Sequence, residues 1–413
     1  MRVHVVVPDG FDDPADPSGG NIYDRRVCAG LTGLGWDVRV ATVPGRWPEP
    51  GDDARAALNH VMTAIPDGEL LLIDGLIASP SAGRLLPHTR RLPLTVLLHM
   101  PLTTAFTGPD GAPVRRSRRT APGPARAPHE QPRPGGGPSG VPGAAAAGED
   151  PRDDPVMSSE RAVLRAAAGV VVTSEWTRGQ VVARFAIPDC RVHVARPGVD
   201  RVGIPSRRAT AAPADGHLLC VGALARHKGQ DVLVEALAEL GETAWECVLA
   251  GPLDRDPRFV DALRARVTHL GLDHRIRLTG TLTGPALDRA YAAADLLVVP
   301  SRAETYGMVV TEALARGVPV LAADTGGLPE ALGTTPDGAR PGGLVPPGDP
   351  PALTAALARW LHDERHRDDL RAAARRRTPA LPTWTRTVED VAAALTATRR
   401  RPGHAGGGRP AGA

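Results

Sequence analysis

SRAETYGMVVTEALARGVPVLAADTGGLPE, residues 301–330, decides how this chain is read. It starts where an apolar run, DLLVVP at 295–300, ends. Open α/β sheets bind ligands beyond the carboxyl ends of their strands. A helix is predicted from about Tyr306 to Arg316, with Glu304 just before it and Glu312 two turns inside. Thr305 or Glu304 is the expected cap. The amides of Tyr306, Gly307 and Met308 are then unpaired donors at a positive helix end. Gly307 has no side chain to hold a ligand away. A diphosphate or the hydroxyls of a sugar suit such a position, and a carboxylate beside it accepts from hydroxyls in fixed directions. Two isolated glutamates would read as a cap and a solvent-facing residue. Here the segments Ser-Arg-Ala-Glu and Gly-Gly-Leu-Pro-Glu put turn residues at the ends of two successive strands, which marks a built site.

Upstream, VGALARHKGQDVL at 221–233 holds the single lysine of the chain, Lys228, among 49 Lys and Arg in all. Arginine bias follows from genome composition, but a compact ammonium and a guanidinium are not interchangeable at a confined anion. The segment reads as strand, turn and helix start, where free amides and the helix dipole converge on phosphates.

Short apolar runs alternate with amphipathic stretches over most of the 413 residues. RVHVVVP, DVRVATV, ELLLID and LTVLLH read as buried parallel strands in the first part, and HLLCVG, ECVLAG, RIRLTG, DLLVVP and VPVLAA in the second. Strand–helix alternation predicts doubly wound α/β sheets. We expect a first Rossmann-like domain at 1–200, a second at 201–378, a helix at 379–400 and a disordered tail at 401–413. Eleven prolines and nine glycines fill 105–155, with RRSRR at 115–119 and EDPRDD at 149–154, so this stretch is expected to be a disordered insertion.

The net charge of +3 implies no bulk attraction to nucleic acid or membrane. RRSRR reads as a solvated loop. Cys28, Cys190, Cys220 and Cys247 are far apart and read as buried small hydrophobes in a reducing compartment. The opening MRVHVVVPDG is too short and polar for a signal peptide, and no stretch approaches the roughly 20 apolar residues of a membrane helix. A cytoplasmic protein without an integral membrane segment or a nucleic-acid partner is expected.

Glu304 and Glu312, seven residues apart, stand in AAADLLVVPSRAETYGMVVTEALARGVPVLAADTGGLPEAL, followed by GGLVPPGD at 342–349. This block resembles the E-x7-E signature of glycosyltransferase family 4, the retaining GT-B enzymes. The HKG turn at 227–229, Ala-Gly-Pro at 250–252 and LTG at 278–280 fall in the family's order, SGGN at 18–21 looks like its Gly-rich loop, and His99 in LLHMPL looks like its cleft histidine. The resemblance implies two Rossmann-like domains with parallel sheets facing across a cleft, the first for the acceptor and the second for a nucleotide sugar. The last helix would return to the first domain. Lys228 would contact the diphosphate, Glu304 the donor-sugar hydroxyls and Glu312 the ribose. Gly19 and Gly20 would let backbone approach the reacting groups. The catalytic set is then Lys228, Glu304 and His99, with Arg226, Tyr306, Gly307 and Met308 completing the donor site. One departure stands out. The family's G-R-L is Gly222-Ala223-Leu224 here, and Arg226, three residues on, is either the second positive charge or a surface residue of the turn.

Tyr23, Arg25 and Arg26 follow the Gly-rich loop and read as a solvated helix face, the alternative being a cleft face that recognises an anionic acceptor. His88, His193 and His217 lack metal-ligand spacing, and Asp12-Asp13 and Asp52-Asp53 read as turn and helix-start caps. No metal and no cofactor is expected; the nucleoside-diphosphate sugar is a substrate and the acceptor is unidentified. The expectation is metal-independent, retaining sugar transfer. The rivals are a phosphorylase or epimerase on the same fold, and a nucleotide-sugar-binding protein without turnover.

Overall fold

The computed structural model describes residues 1–13, 17–102, 155–201 and 216–400. RRSRR, nearly all of the 105–155 stretch, most of residues 198–216 where the two expected domains join, and the tail 401–413 lie outside the described residues. The apolar runs form two six-stranded sheets. The first contains β1 (Arg2–Pro8), β2 (Asp37–Val43), β3 (Leu70–Asp74), β4 (Leu94–Leu98), β5 (Gly169–Val172) and β6 (Val192–Val194), in the order β2-β1-β3-β4-β5-β6. The second contains β7 (His217–Val221), β8 (Glu246–Ala250), β9 (Ile276–Gly280), β10 (Leu296–Val299), β11 (Val320–Ala323) and β12 (Gly342–Val345), in the order β12-β11-β10-β7-β8-β9. Every pairing is parallel. The α/β class with two Rossmann-like sheets follows.

The burial explains the sequence. β3, β4, β5, β10 and β11 are buried at every position, as continuous Val/Leu/Ile/Ala runs require when helices cover both faces. Edge strand β2 leaves Val40 exposed. Helix starts are set by short polar caps: Ser18, Ser174, Asp256, Asp349, Asp363 and Thr383 each accept from an amide in the first turn.

Each sheet reverses its winding once. β1 lies between β2 and β3, and β7 lies between β8 and β10. Chains leaving two adjacent strands at such a point diverge and leave a crevice at the strands' carboxyl ends. SGGN follows β1 and Asp74 ends β3; Lys228 follows β7 and Glu304 follows β10. SGGN, Lys228 and Glu304, singled out in sequence, therefore lie at the two reversal points, and Asp74, which was not, joins them.

The last helix, Trp384–Arg399, completes the core of the first sheet. Val388, Val391, Ala394 and Leu395 pack with Tyr23, Val27 and Leu31 of α1 (Gly19–Gly33). A Cβ on Gly30 would sit 2.3 Å from Val388 Cγ2, so only glycine admits the helix this closely. Cys220 and Cys247 are buried, whereas Cys190 is exposed on the turn Asp189–Arg191, against the sequence expectation. Its apolar neighbours end before a turn that points it outward. Among the described residues no helix is long and apolar enough to cross a membrane.

Candidate functional site

Lys228 and Glu304 meet where β7 and β10 lie side by side. Lys228 Nζ donates to Glu304 Oε2 at 2.5 Å, with side chains 25% and 14% exposed. Glu304 Oε1 accepts from the amide of Thr305 at 3.2 Å. Burial works against charge on Glu304, but Lys228 outweighs it and the carboxyl is held below its ordinary range. The turn before Lys228 is a single 3-10 turn, Arg226–Lys228, ending in left-handed Gly229. A Cβ on Gly229 would lie 2.1 Å from the Pro300 carbonyl oxygen, so this glycine lets the β7 turn touch the end of β10.

The helix after Glu304 runs Met308–Ala315 and is capped differently from expectation. Gly307 is the N-cap, at φ 91°, and no side chain caps it. Glu304 is turned toward Lys228, and the Thr305 carbonyl faces the first domain, where Ser174 Oγ donates to it at 2.6 Å. The amides of Tyr306, Gly307 and Met308 find no acceptor among the described residues. The Tyr306 ring is buried in the core, so its backbone alone reaches the site. The Gly326-Gly327 turn is packed directly on Glu304 and Thr305; Gly327 N donates to Glu304 O at 3.0 Å.

Glu312 lies deeper. Tyr291 OH donates to its Oε2 at 2.8 Å, and the Arg316 guanidinium lies over the Tyr291 ring. Burial pushes the Glu312 carboxyl up, and the Tyr291 hydroxyl and Arg316 only partly offset this.

The first domain supplies the facing wall. His99 follows β4, and a Cβ on Gly20 would approach its Cδ2 to 3.2 Å. A Cβ on Gly19 would approach Met308 Sδ to 3.4 Å, so the Gly-rich segment meets the helix start of the second domain. His99 Nε2 is 2.8 Å from Asp24 Oδ1. Asp74, at the end of β3, accepts from Leu76 N at 2.6 Å. Ligating atoms of Asp24, Asp74 and His99 all lie within 4.8 Å of one another. Burial opposes charge on His99, but Asp24 outweighs it and raises the imidazole to about 9. Burial and the Asp24 charge push the Asp74 carboxyl up to about 7.

Tyr23 corrects the sequence reading, Arg25 is half-buried, and Arg26 is exposed as a solvated helix face requires. Tyr23 is fully buried, its OH donates to Ala195 O at 2.9 Å, and its ring stands edge-on to His99 and Trp384. Arg25 donates to Phe11 O, and Arg26 pairs with Asp200 above Trp384. Asp24 and Asp74 were missed in sequence. Asp24 looks like one polar residue of a helix face, and only the fold brings it under His99.

Comparison with known proteins now bears on this geometry. Residues 206–377 match the family model described as glycosyl transferases group 1. The C-terminal domain belongs to the group 1 glycosyl transferases. A curated relative named D-inositol 3-phosphate glycosyltransferase, from Jonesia denitrificans, is 32% identical over 271 residues, covering 62% of this chain and 62% of that protein. D-inositol 3-phosphate glycosyltransferase 1 of Catenulispora acidiphila is 36% identical over 235 residues, 52% of this chain and 54% of its own. The chain thus spans less than two thirds of the length of the curated relatives it matches. Sucrose-phosphate synthase from Thermosynechococcus elongatus superposes with a TM-score of 0.69 at 22% identity, over 95% of this chain and 98% of that one. Anabaena HepE in complex with UDP and glucose superposes with 0.66 at 17% identity, over 96% and 99%. The chain as a whole has the GT-B fold.

Within this glycosyl transferase domain, Ala223 leaves its strand end without an arginine. Gln230 Nε2 donates to Ala223 O at 3.0 Å. Arg226 is exposed, and its guanidinium makes no ion pair among the described residues. Arg302 is committed elsewhere, bidentate to Asp231 at 2.7 and 2.8 Å. The domain is tied to the first one by Arg196 Nε to Glu330 Oε1 at 2.5 Å and by Glu175 N to Glu330 Oε2 at 2.8 Å. Glu330 closes the GGLPE motif, so the motif that packs on Glu304 also joins the domains.

Proposed function

We propose that the chain transfers a sugar from a nucleoside-diphosphate donor to an acceptor, with retention of configuration and without a divalent metal. The observation that carries this is Lys228 on Glu304 beside the open amides of Tyr306, Gly307 and Met308, with Gly19, Gly20 and His99 on the facing wall. The diphosphate takes Lys228 and the helix start, with Arg226 free to swing onto it. Donor-sugar hydroxyls take over Glu304, and the ribose takes Glu312.

Charge on the leaving diphosphate grows as the glycosidic bond breaks, and fixed donors aimed at it are worth most there. An ammonium and backbone amides supply that stabilisation. In the donor complex Glu304 is committed to the sugar hydroxyls, and Asp24 is bonded to His99. Neither carboxylate is free to form a glycosyl–enzyme intermediate, which favours attack from the leaving-group face.

The names of the relatives make D-inositol 3-phosphate the first acceptor to offer. The test is incubation with UDP-, GDP- and ADP-sugars in EDTA, with and without that acceptor. Expected is nucleoside diphosphate release with an α-linked product from an α-linked donor. Sugar 1-phosphate formed only with added phosphate would mean a phosphorylase. Nucleotide binding by calorimetry with no product from any donor–acceptor pair would mean a binding protein.

A further inference from the structure

Asp24 and Asp74 are 1% and 3% exposed and stand beside a single imidazole. Asp24 Oδ1 faces His99 Nε2, while Asp24 Oδ2 is buried with no hydrogen-bond partner if both carboxyls are acceptors only. Asp74 Oδ1 takes the Leu76 amide. Two buried carboxylates sharing one cation leave a net buried charge, and a bare acceptor besides, which is costly on both counts. Something positive must lie between them.

A divalent metal fits poorly. Tetrahedral ligands ~2.0–2.1 Å from a zinc ion sit about 3.3 Å apart. Nε2 and Oδ1 are 2.8 Å apart, the distance of an N–H···O hydrogen bond. A proton on Asp74 fits. It turns Asp74 into a donor to the orphaned Oδ2 and leaves Asp24 as the counter-ion of His99. The other groups nearby add no competing charge at the imidazole. Tyr23 of α1 spends its hydroxyl on Ala195 O, Cys28 is a free thiol one turn further along, and Asp390 of the last helix is paired with Arg386.

We propose that Asp24 and Asp74 are positioning residues that share one proton and hold His99 as a fixed cationic hydrogen-bond donor beside Gly20. His99 Nδ1 has no hydrogen-bond partner among the described residues. With Nε2–H committed to Asp24, the ring offers Nδ1–H outward and has no lone pair. It can steady a hydroxyl or phosphoryl oxygen and cannot act as a base. That consequence rests on the transferase reading; the protonation pattern does not.

NMR of the full chain without donor or acceptor tests it, with ring-labelled histidine, carboxyl-labelled aspartate and His99 identified by loss of its signal in His99→Gln. Expected is one aspartyl carboxyl titrating above pH ~5.5, against about 3.9 for a free one, and lost in Asp74→Asn. His99 should remain an imidazolium at pH 7 in wild type and in Asp74→Asn, whose amide donates to Oδ2 as the acid does. In Asp24→Asn its midpoint should drop by more than one pH unit. No carboxyl titrating above that limit, or a neutral His99 at pH 7, overturns the proposal. So does a titration that micromolar zinc displaces, since the gap then holds a metal. The carboxyl titration needs only wild-type protein and stands even if the Asp24 variant does not fold.

Discussion

Lys228 and Glu304, 76 residues apart in the chain, share a 2.5 Å ion pair at the reversal point of the second sheet. The pair favours the ionised form of Glu304 and holds both side chains in place before any ligand arrives. Removing the ammonium leaves a carboxylate that is nearly buried and has lost its main compensation. In Lys228→Ala the Glu304 carboxyl should therefore rise from below to above its ordinary range. Turnover of the nucleotide sugar should fall at least about tenfold. Steady-state kcat across the neutral range, on variant shown folded by circular dichroism, checks this; wild-type kcat would refute the role of Lys228.

Tyr291 holds Glu312 through one hydrogen bond at 2.8 Å. Tyr291→Phe keeps the ring under Arg316 and removes only the hydroxyl. Burial should then push the Glu312 carboxyl further up, because a group that lowers it is gone. Affinity for the bare nucleoside diphosphate should drop by several-fold, about 1 kcal/mol for one hydrogen bond. Isothermal calorimetry reads the change, and an equal loss for inorganic pyrophosphate would argue against a ribose contact.

Gly20 and Gly229 are predicted to fail in different ways. In Gly20→Ala the new methyl lies 3.2 Å from His99 Cδ2, and a partly exposed ring can give by a few tenths of an ångström. Stability should change by less than about 1 kcal/mol, since alanine favours the helix, while activity drops because His99 is moved. Gly229→Ala meets a backbone oxygen at 2.1 Å at φ 71°. There the backbone itself must move, and the loss should be on the order of 2–4 kcal/mol. Urea unfolding of both variants beside activity separates the two.

Stability should fall on the alkaline side. The His99 midpoint is raised to about 9, so the native state keeps a proton that the unfolded chain releases near ~6.5. The contribution is full below that ordinary value and is lost as pH rises through about 9. Asp74, raised to about 7, acts with the same sign between its ordinary range and that value. Burial lowers His227 to about 4, which costs stability only in acid; burial also raises the Cys28, Cys220 and Cys247 thiols, whose losses have the same sign as that of His99 but begin only near their ordinary value of 9.0. Between pH 6.5 and 9.5 the loss should be on the order of 2–3 kcal/mol. Asp24→Asn should flatten that slope, as seen in melting temperature against pH; an unchanged slope would mean that His99 does not carry it.

Much of the fold was legible in the chain because buried parallel strands write themselves as unbroken apolar runs. β3, β4, β10 and β11 are such runs. The start of the helix after Glu304 was misplaced by two residues. A left-handed glycine at 307 ended the loop where side-chain capping was expected from Thr305 or Glu304. Tyr23 was misread because helix periodicity shows which face is apolar but not what covers it. The cover is Trp384 and its helix, from the far end of the chain.

The amino-acid order alone determined the two α/β series, the turn carrying Lys228 and the spacing of Glu304 and Glu312, since each depends on neighbours a few residues away. Tertiary structure decided which of these residues touch. Placing β7 next to β10 put Lys228 on Glu304, and bringing α1 beneath the end of β4 put Asp24 on His99. Contacts across such distances depend on which strands pair, and pairing is set by the packing of whole sheets, which no local stretch encodes.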